Sequence, residues 1–522
     1  MQKSTFIKNT AILTATSLLL RTIGIFFRVY MSNKIGAEGM GLYQLIFSIY
    51  ILASTFASSG ICTAVTRMVT DELVCGSKRS VLRILRRAVG LSVLIGGLSL
   101  LLILFGADWI GQIWLKDVRA IPALRVMAFS LPFMGVSSCL RGYFLARRKV
   151  ASTSRAQILE QLVRIGLIML LIDRFSARGV TAACIAVMIG DSLAEAASCL
   201  YLAIGYWLDR RRLPAAASSR APYTGILRKL LSIAVPITAG RYLNTLLRTI
   251  ENILVPDCLT KYTDSRETSL SQFGMLKGMA MPLLFFPSAF LSAFSTLLIP
   301  EISEANALKK EKTVERAVNR TLHLTFALSI LISGVFTAFA RPLGLLLYDS
   351  AEVGFYLQVL APLMPIMYVE SVVDGILKGL NQQASSLRYS VIDSVLRIGL
   401  IFVLVPVQGM QGFLLIMVIS NILTSFLNLH RLLKVTRLHM QWSNWLIKPL
   451  LSIATACAFS RLICRLPWLS GLPPLAFLLI GGAVISGVYL VLMGLFGCEL
   501  RPSAHTIPRE PTTLPPTTYP YA

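Results

Sequence analysis

A membrane-length apolar stretch that carries two arginines constrains this chain more than any other feature. From Ala11 to Met31 the sequence reads AILTATSLLLRTIGIFFRVYM, nearly all apolar and long enough for a helix that needs about 20 such residues to cross a bilayer. Arg21 and Arg28 interrupt it. A guanidinium at mid-bilayer costs roughly 2.5 to 3.5 kcal/mol even on the lenient insertion scale, so both must face protein or water. At about 100° per residue, positions seven apart share a helix face, and Gly24 lies on that face between them. The result is a cationic stripe with a gap at which a ligand can approach the backbone. Arginine keeps its charge, and its planar fork of donors matches phosphate oxygens, so an anionic head group is the expected ligand. A blander reading has these arginines paired with acids on neighbouring helices, or Arg28 snorkelling to the interface. Spacing alone leaves both readings open.

Composition widens the membrane reading to the whole chain. Of 522 residues 55% are hydrophobic and 14% charged, and the mean hydropathy is +0.69, which excludes a soluble multidomain protein. The net charge of +25 would suggest nucleic acid in a soluble protein. Here the Lys and Arg gather in short loops between apolar runs, the positive-inside pattern, so anionic membrane lipid is the expected partner and nucleic acid is not. The nine cysteines are scattered, mostly in apolar runs (Cys62, Cys139, Cys184, Cys199, Cys457), with no CxxC and no clustered His. They read as small packing residues, with no disulfide framework, metal site or cofactor. Lys3 and Lys8 before an apolar run resemble a signal peptide, but no A-x-A-like cleavage site follows, so the run is expected to stay as the first span.

The expected fold class is an all-α polytopic membrane protein with about 14 transmembrane helices. The spans fall near 10–32, 41–66, 84–106, 121–145, 155–173, 179–207, 229–256, 272–299, 317–340, 354–379, 386–406, 411–433, 445–464 and 474–496. Basic loops (Lys78 to Arg87, Arg147 to Arg155, Arg210 to Lys229, Lys309 to Arg320, Arg431 to Lys448) follow even-numbered spans, which puts both termini in the cytoplasm.

An internal repeat organises these spans. Shifting the chain by 233 residues aligns 124–172 with 357–405 without a gap, with about 17 of 49 positions identical. Its clearest pieces are RIGLI at Arg164 to Ile168 against Arg397 to Ile401, Pro132 against Pro365, and Gly142 against Gly375. The shift spans six helices, an even number, so both copies enter the membrane from the same side and form a parallel repeat about an axis along the membrane normal. The expected organisation is a six-helix lobe over 1–207, a basic cytoplasmic linker over 208–228 containing PAAASSRAP, and a second six-helix lobe over 229–440. Two extra helices follow over 441–497, then a Pro- and Thr-rich, disordered cytoplasmic tail over 498–522.

The remaining membrane charges fall into patterns. Glu160 and Arg164 stand at i, i+4 in the fifth span, as do Asp393 and Arg397 in the eleventh, and each pair reads first as a structural ion pair. The seventh span again has arginines seven apart, Arg241 and Arg248, with Glu251 one turn on, and Pro236 and Gly240 are expected to loosen its helix. Lys277 lies in the eighth span; Glu370, Asp374 and Lys378 share one face of the tenth. Arg21, Arg28, Arg241, Arg248 and Lys277 against Glu251 leave an excess of positive charge in the expected cleft. Such a field favours an anion and repels a cationic drug.

The opening LLRTIGIFFRVYMSNKIGAEGMGLYQLIFSIY, with R-x2-G-x3-R followed by IGAEGMGLYQL, resembles the stage V sporulation protein B and polysaccharide-export family. That family shares a superfamily with the lipid II flippases and the multidrug and toxin extruders. The resemblance covers most of residues 1–497 and is most specific over 17–45. It implies a V-shaped, alternating-access exporter that carries an undecaprenyl-pyrophosphate-linked sugar, such as a peptidoglycan precursor, across the cytoplasmic membrane of a bacterium. Lipid II flippases use arginines of the first helix for the pyrophosphate, and Arg21 and Arg28 lie in the corresponding helix. Spans thirteen and fourteen resemble the pair that forms a lipid-tail groove in those flippases.

The expectation is a monomeric flippase, not an enzyme, for cell-wall, spore-cortex or polysaccharide biosynthesis. Arg21, Gly24, Arg28, Arg241, Arg248 and Lys277 hold the pyrophosphate. No ATP-binding motif is present, so a coupling ion, H+ or Na+, is expected to drive it, with Glu251 and Asp374 as the ion-linked acids. The alternative on the same fold is a multidrug or cation antiporter, which would want acids and aromatics in the cleft. A glycan transferase would bring a catalytic acid or His on a sizeable external loop. Here the external loops are short, and His323, His430, His439 and His505 fall in or near cytoplasmic segments.

Overall fold

The computed structural model describes residues 3–58, 60–74, 78–212, 225–438, 440–463 and 473–496. The expected tail over 498–522 and residues 213–224 of the linker lie outside these. The described chain is helical and has no strand. Its first part comprises α1 (Lys3–Ser58), α2 (Ile61–Val74), α3 (Lys78–Trp109), α4 (Ala120–Ala128), α5 (Ser130–Ala146), α6 (Val150–Ser176) and α7 (Val180–Asp209). Its second comprises α8 (Ile226–Thr263), α9 (Arg266–Phe273), a π-helical segment Gly274–Ala280, α10 (Met281–Phe285), α11 (Ser288–Ala307), α12 (Glu311–Tyr348), α13 (Ala351–Leu360), α14 (Met364–Gly379) and α15 (Gln383–Thr436). Two more helices close the described chain, α16 (Lys448–Ile463) and α17 (Pro474–Leu495).

Ten described helical stretches are long and apolar enough to cross a membrane. Two of them hold two expected spans each. Between 32 and 41, and between 406 and 411, the span limits suggest a loop. Instead α1 leaves helical geometry only at Gly36 (φ 73°, ψ 177°) and α15 only at Gly409 (φ 60°, ψ −139°). Positive φ costs glycine nothing, so one residue suffices for the break. The expected spans 155–173 and 272–299 are helical too, but α6 carries Arg155, Glu160, Arg164, Asp173 and Arg174, and the helix of the eighth span is interrupted at Phe286 and Pro287. The fold is thus an all-α membrane bundle of ten to fourteen helices, in accord with the sequence. α8 runs unbroken from Ile226 to Thr263 through Pro236 and Gly240 in this conformation.

Packing follows the sequence halves. α6 lies along α7, and α5 fits against α2, α3 and α7; correspondingly α15 lies along α8 and α14, and α12 packs on α13 and α14. α16 and α17 pack on each other and on α12, burying Ile330, Phe339, Ile453, Ile485 and Tyr489.

The two halves are sealed to each other at the end where α1 breaks. The stretch after Gly36 crosses α9 and the π segment backbone to backbone: a Cβ on Gly41 would fall 2.0 Å from the Leu270 carbonyl oxygen, and one on Gly274 would fall 2.0 Å from that of Ala37. Small residues permit this approach, which suits helix contact in lipid. Polar links surround it. Arg266 Nη2 donates to the Leu115 carbonyl at 2.5 Å, Lys116 Nζ lies 2.9 Å from Asp257, and the Asn33 amide donates to the Leu347 carbonyl at 3.2 Å. On the first half's side of the seal, Arg119 bridges Asp117 (2.9 Å) and Glu38 (2.6 Å); its hydrogen bond to Asp117 raises the guanidinium's pKa above its ordinary value. Gly274→Ala is expected to destabilise the closed bundle by about 1–3 kcal/mol, the usual range for overpacking, because a backbone atom cannot swing aside. The midpoint of heat denaturation in detergent reads this, and an unchanged midpoint would mean that the crossing is loose.

Candidate functional site

Below the seal, α1 faces α10 and the start of α11 across a cavity of about 480 Å³. Arg21, Gly24, Ile25 and Arg28 form one wall, so the face inferred from their spacing is the face that lines the space. Pro282, Phe285, Phe286 and Ser288 form the other wall, with Ser371 of α14. The two arginines do not pair with any carboxylate of the described residues, and Arg28 is half-buried. A charged group in such a place is costly unless a counter-ion arrives, and the cavity is where one can. Two guanidiniums opposite an aromatic wall suit an anion joined to an apolar body.

The other expected ligands are placed differently. Arg241 and Arg248 are exposed on α8, lie outside this cavity, and pair with no carboxylate of the described residues. Lys277 is not free. Its Nζ is 3.2 Å from Glu251 Oε1 and 5.5 Å from the centre of the Phe413 ring, so in this conformation it is held as an ion pair and not as a head-group cation. Glu251 in turn takes Arg397 Nη1 at 3.2 Å, and Arg397 Nη2 reaches Asp393 at 2.9 Å and the Ser420 hydroxyl at 2.5 Å. Two acids and two cations from α8, the π segment and α15 thus neutralise one another in the interior. The eleventh-span pair was legible from its spacing. Its extension to Glu251 and Lys277 was not, because those residues stand on other helices. Asp374, the second expected ion-linked acid, is also taken: Lys378 Nζ lies 2.5 Å away and the Ser386 hydroxyl donates to its other oxygen.

The first half holds a counterpart. Arg164 Nη2 is 3.1 Å from Glu160, and its Nε is 2.7 Å from Asp191 of α7; Arg141 of α5 reaches Glu160 at 2.8 Å. Asp191 and Glu195 were missed at the sequence level, although their own i, i+4 spacing in an otherwise apolar span was a usable signal.

The profile of the family described as "Polysaccharide biosynthesis protein" matches residues 6–306, more than half of the chain. The chain belongs to that family. A second profile, MatE, matches residues 269–403 of the chain. Among curated proteins it is 27% identical over 467 residues to stage V sporulation protein B of Bacillus subtilis (strain 168), covering 88% of this chain and 89% of that one. Among solved structures it superposes on a lipid II flippase MurJ in an inward closed conformation with a TM-score of 0.68 at 14% identity, over 93% of this chain and 98% of the other. An inward-facing multidrug resistance MATE family transporter matches with a TM-score of 0.63 at 15% identity, over 81% and 98%. These matches fix the fold and confirm the expected family.

Proposed function

We propose that this protein is a flippase that moves an undecaprenyl-pyrophosphate-linked oligosaccharide or peptidoglycan precursor across the bacterial cytoplasmic membrane by alternating access. The observation that carries the reading is the pair Arg21 and Arg28, without a carboxylate partner among the described residues, on the wall of a cavity whose far side is Pro282, Phe285 and Phe286. The guanidiniums take the pyrophosphate and Gly24 lets it approach the helix, while the prenyl chain stays against apolar surface. The similarity to stage V sporulation protein B and the fold shared with a lipid II flippase are in keeping with a flippase. Arg241 and Arg248 join the site when the halves rock. The halves divide at the linker 208–228, with 1–207 and 229–440 as lobes and both termini in the cytoplasm.

A cation antiporter is the second reading, favoured by the MatE match over 269–403. The test is purified protein in proteoliposomes, offered either a fluorescent undecaprenyl-pyrophosphate saccharide or an organic cation. Flipping of the lipid without cation transport is the expected result. Cation transport without lipid flipping would move the assignment to the antiporter.

A further inference from the structure

Arg266 stands where its own helix disfavours it. α9 starts at Arg266, with the Ser265 hydroxyl accepting from the Thr268 N–H, so the guanidinium sits in the first turn, at the positive end of the helix dipole. The other half explains its place. There a π-helical turn, Ile110–Trp114, continues α3 and ends at Leu115, after which Lys116 turns away with φ 49°. The last carbonyls of a helix have no partner within it, and Arg266 Nη2 supplies one to that of Leu115. The next residue, Lys116, holds Asp257 of α8 at 2.9 Å. The seal is therefore crossed: a second-half cation holds a first-half carbonyl, and a first-half cation holds a second-half acid. The other donors of Arg266, Nε and Nη1, are shut off from solvent without a partner among the described residues. Asp117, the other acid whose charge reaches Arg266, is taken by Arg119 through both carboxylate oxygens.

We propose that this seal opens by an exchange of partners, in which Arg266 leaves the Leu115 carbonyl and takes Asp257 as Lys116 withdraws. Arg266 and Asp257 belong to the same half and hold consecutive residues of the other, so they are already neighbours. Separation of the halves carries Leu115 and Lys116 away together. Without exchange, that movement strands a carboxylate and a guanidinium on the second half. With exchange the two neutralise each other, and the donors left idle in the sealed state gain an acceptor. Lys116 is 57% exposed in the sealed state, so water takes it over at little cost. Asp257 is thus paired in both states and Lys116 in one, which keeps the sealed and open ends close in energy, as rocking halves require.

This rests on the alternating-access reading, but its test does not need the substrate. Spin labels at Val118 of the first half and Lys261 of the second, both exposed, report the width of this end in the full chain, reconstituted in nanodiscs without its native cysteines. Wild type is expected to populate a short and a long distance. Lys116→Met removes a partner from the sealed state alone and should raise the long-distance share about two- to fivefold, the range of an exposed ion pair. Asp257→Asn removes a partner from both states and should leave that share at or below the wild-type value. In an Arg266→Gln background the two substitutions should act alike, both raising it. Exchanging the charges, Lys116→Asp with Asp257→Lys, rebuilds the sealed pair but sets the new lysine beside Arg266 on opening, so the long-distance share should fall below wild type. A plain latch predicts equal rises for Lys116→Met and Asp257→Asn and full recovery in the charge exchange; that result overturns the proposal and leaves alternating access intact. A single short distance in every variant overturns both. The expected pattern in a protein that does not flip the lipid would sink the substrate reading and leave the partner exchange standing.

Discussion

Replacing Arg21 and Arg28 together by alanine is expected to abolish flipping of an undecaprenyl-pyrophosphate saccharide at matched insertion. Hydrogen bonds to a charged group are worth about 1.5–3 kcal/mol each, so one lost arginine should lower the rate roughly ten- to a hundredfold and two by the product. The bundle itself should survive, because the two side chains make no ion pair with the described residues. Arg21→Lys and Arg28→Lys should restore only part of the rate, since an ammonium keeps the charge but not the bidentate fork. Proteoliposome flipping and a heat-denaturation scan on the same preparations separate the outcomes. If the double alanine variant flips at the wild-type rate, the head group sits elsewhere. If it instead loses stability, the arginines are structural.

The opposite pattern is expected at Glu251. It is 4% exposed and is the contact that joins Lys277 on the π segment to Arg397 on α15. Glu251→Ala leaves two interior cations facing Asp393 alone, and breaking a buried pair in this way costs about 3–5 kcal/mol. The heat-denaturation midpoint should fall steeply, along with the yield of folded protein from membranes. Lys277→Met in the same chain should recover part of the loss, because it removes one of the stranded charges, and the double-mutant cycle then reports the coupling. Additive losses would mean that the two side chains do not depend on each other. A Glu251→Ala protein of unchanged stability that has lost only ion dependence would return Glu251 to the coupling role.

The arginine stripe is a local feature of one helix, whereas the Glu251 network is not. Apolar runs of about 20 residues specify membrane helices one at a time, and the seven-residue spacing of Arg21 and Arg28 specifies a face, because helix geometry repeats without reference to any neighbour. The fold class, the repeat between 124–172 and 357–405, and the cationic stripe are therefore legible in the order of residues alone. So are the pairs Glu160–Arg164 and Asp393–Arg397, each contained in one helical turn. The choice of partner across helices is not. Lys277 and Arg28 are both cations in apolar spans, yet one is neutralised by Glu251 and the other faces a cavity, a difference set by how α8, α10 and α15 come together. Likewise, sequence gives Glu195 the same standing as Asp191; only the packing of α5 and α6 on α7 hands Arg164 to Asp191 and leaves Glu195 beside another acid. Charge content is written along the chain, but charge balance is a property of three-dimensional neighbours, because Coulomb interactions in a low dielectric depend on distances that helix periodicity does not contain.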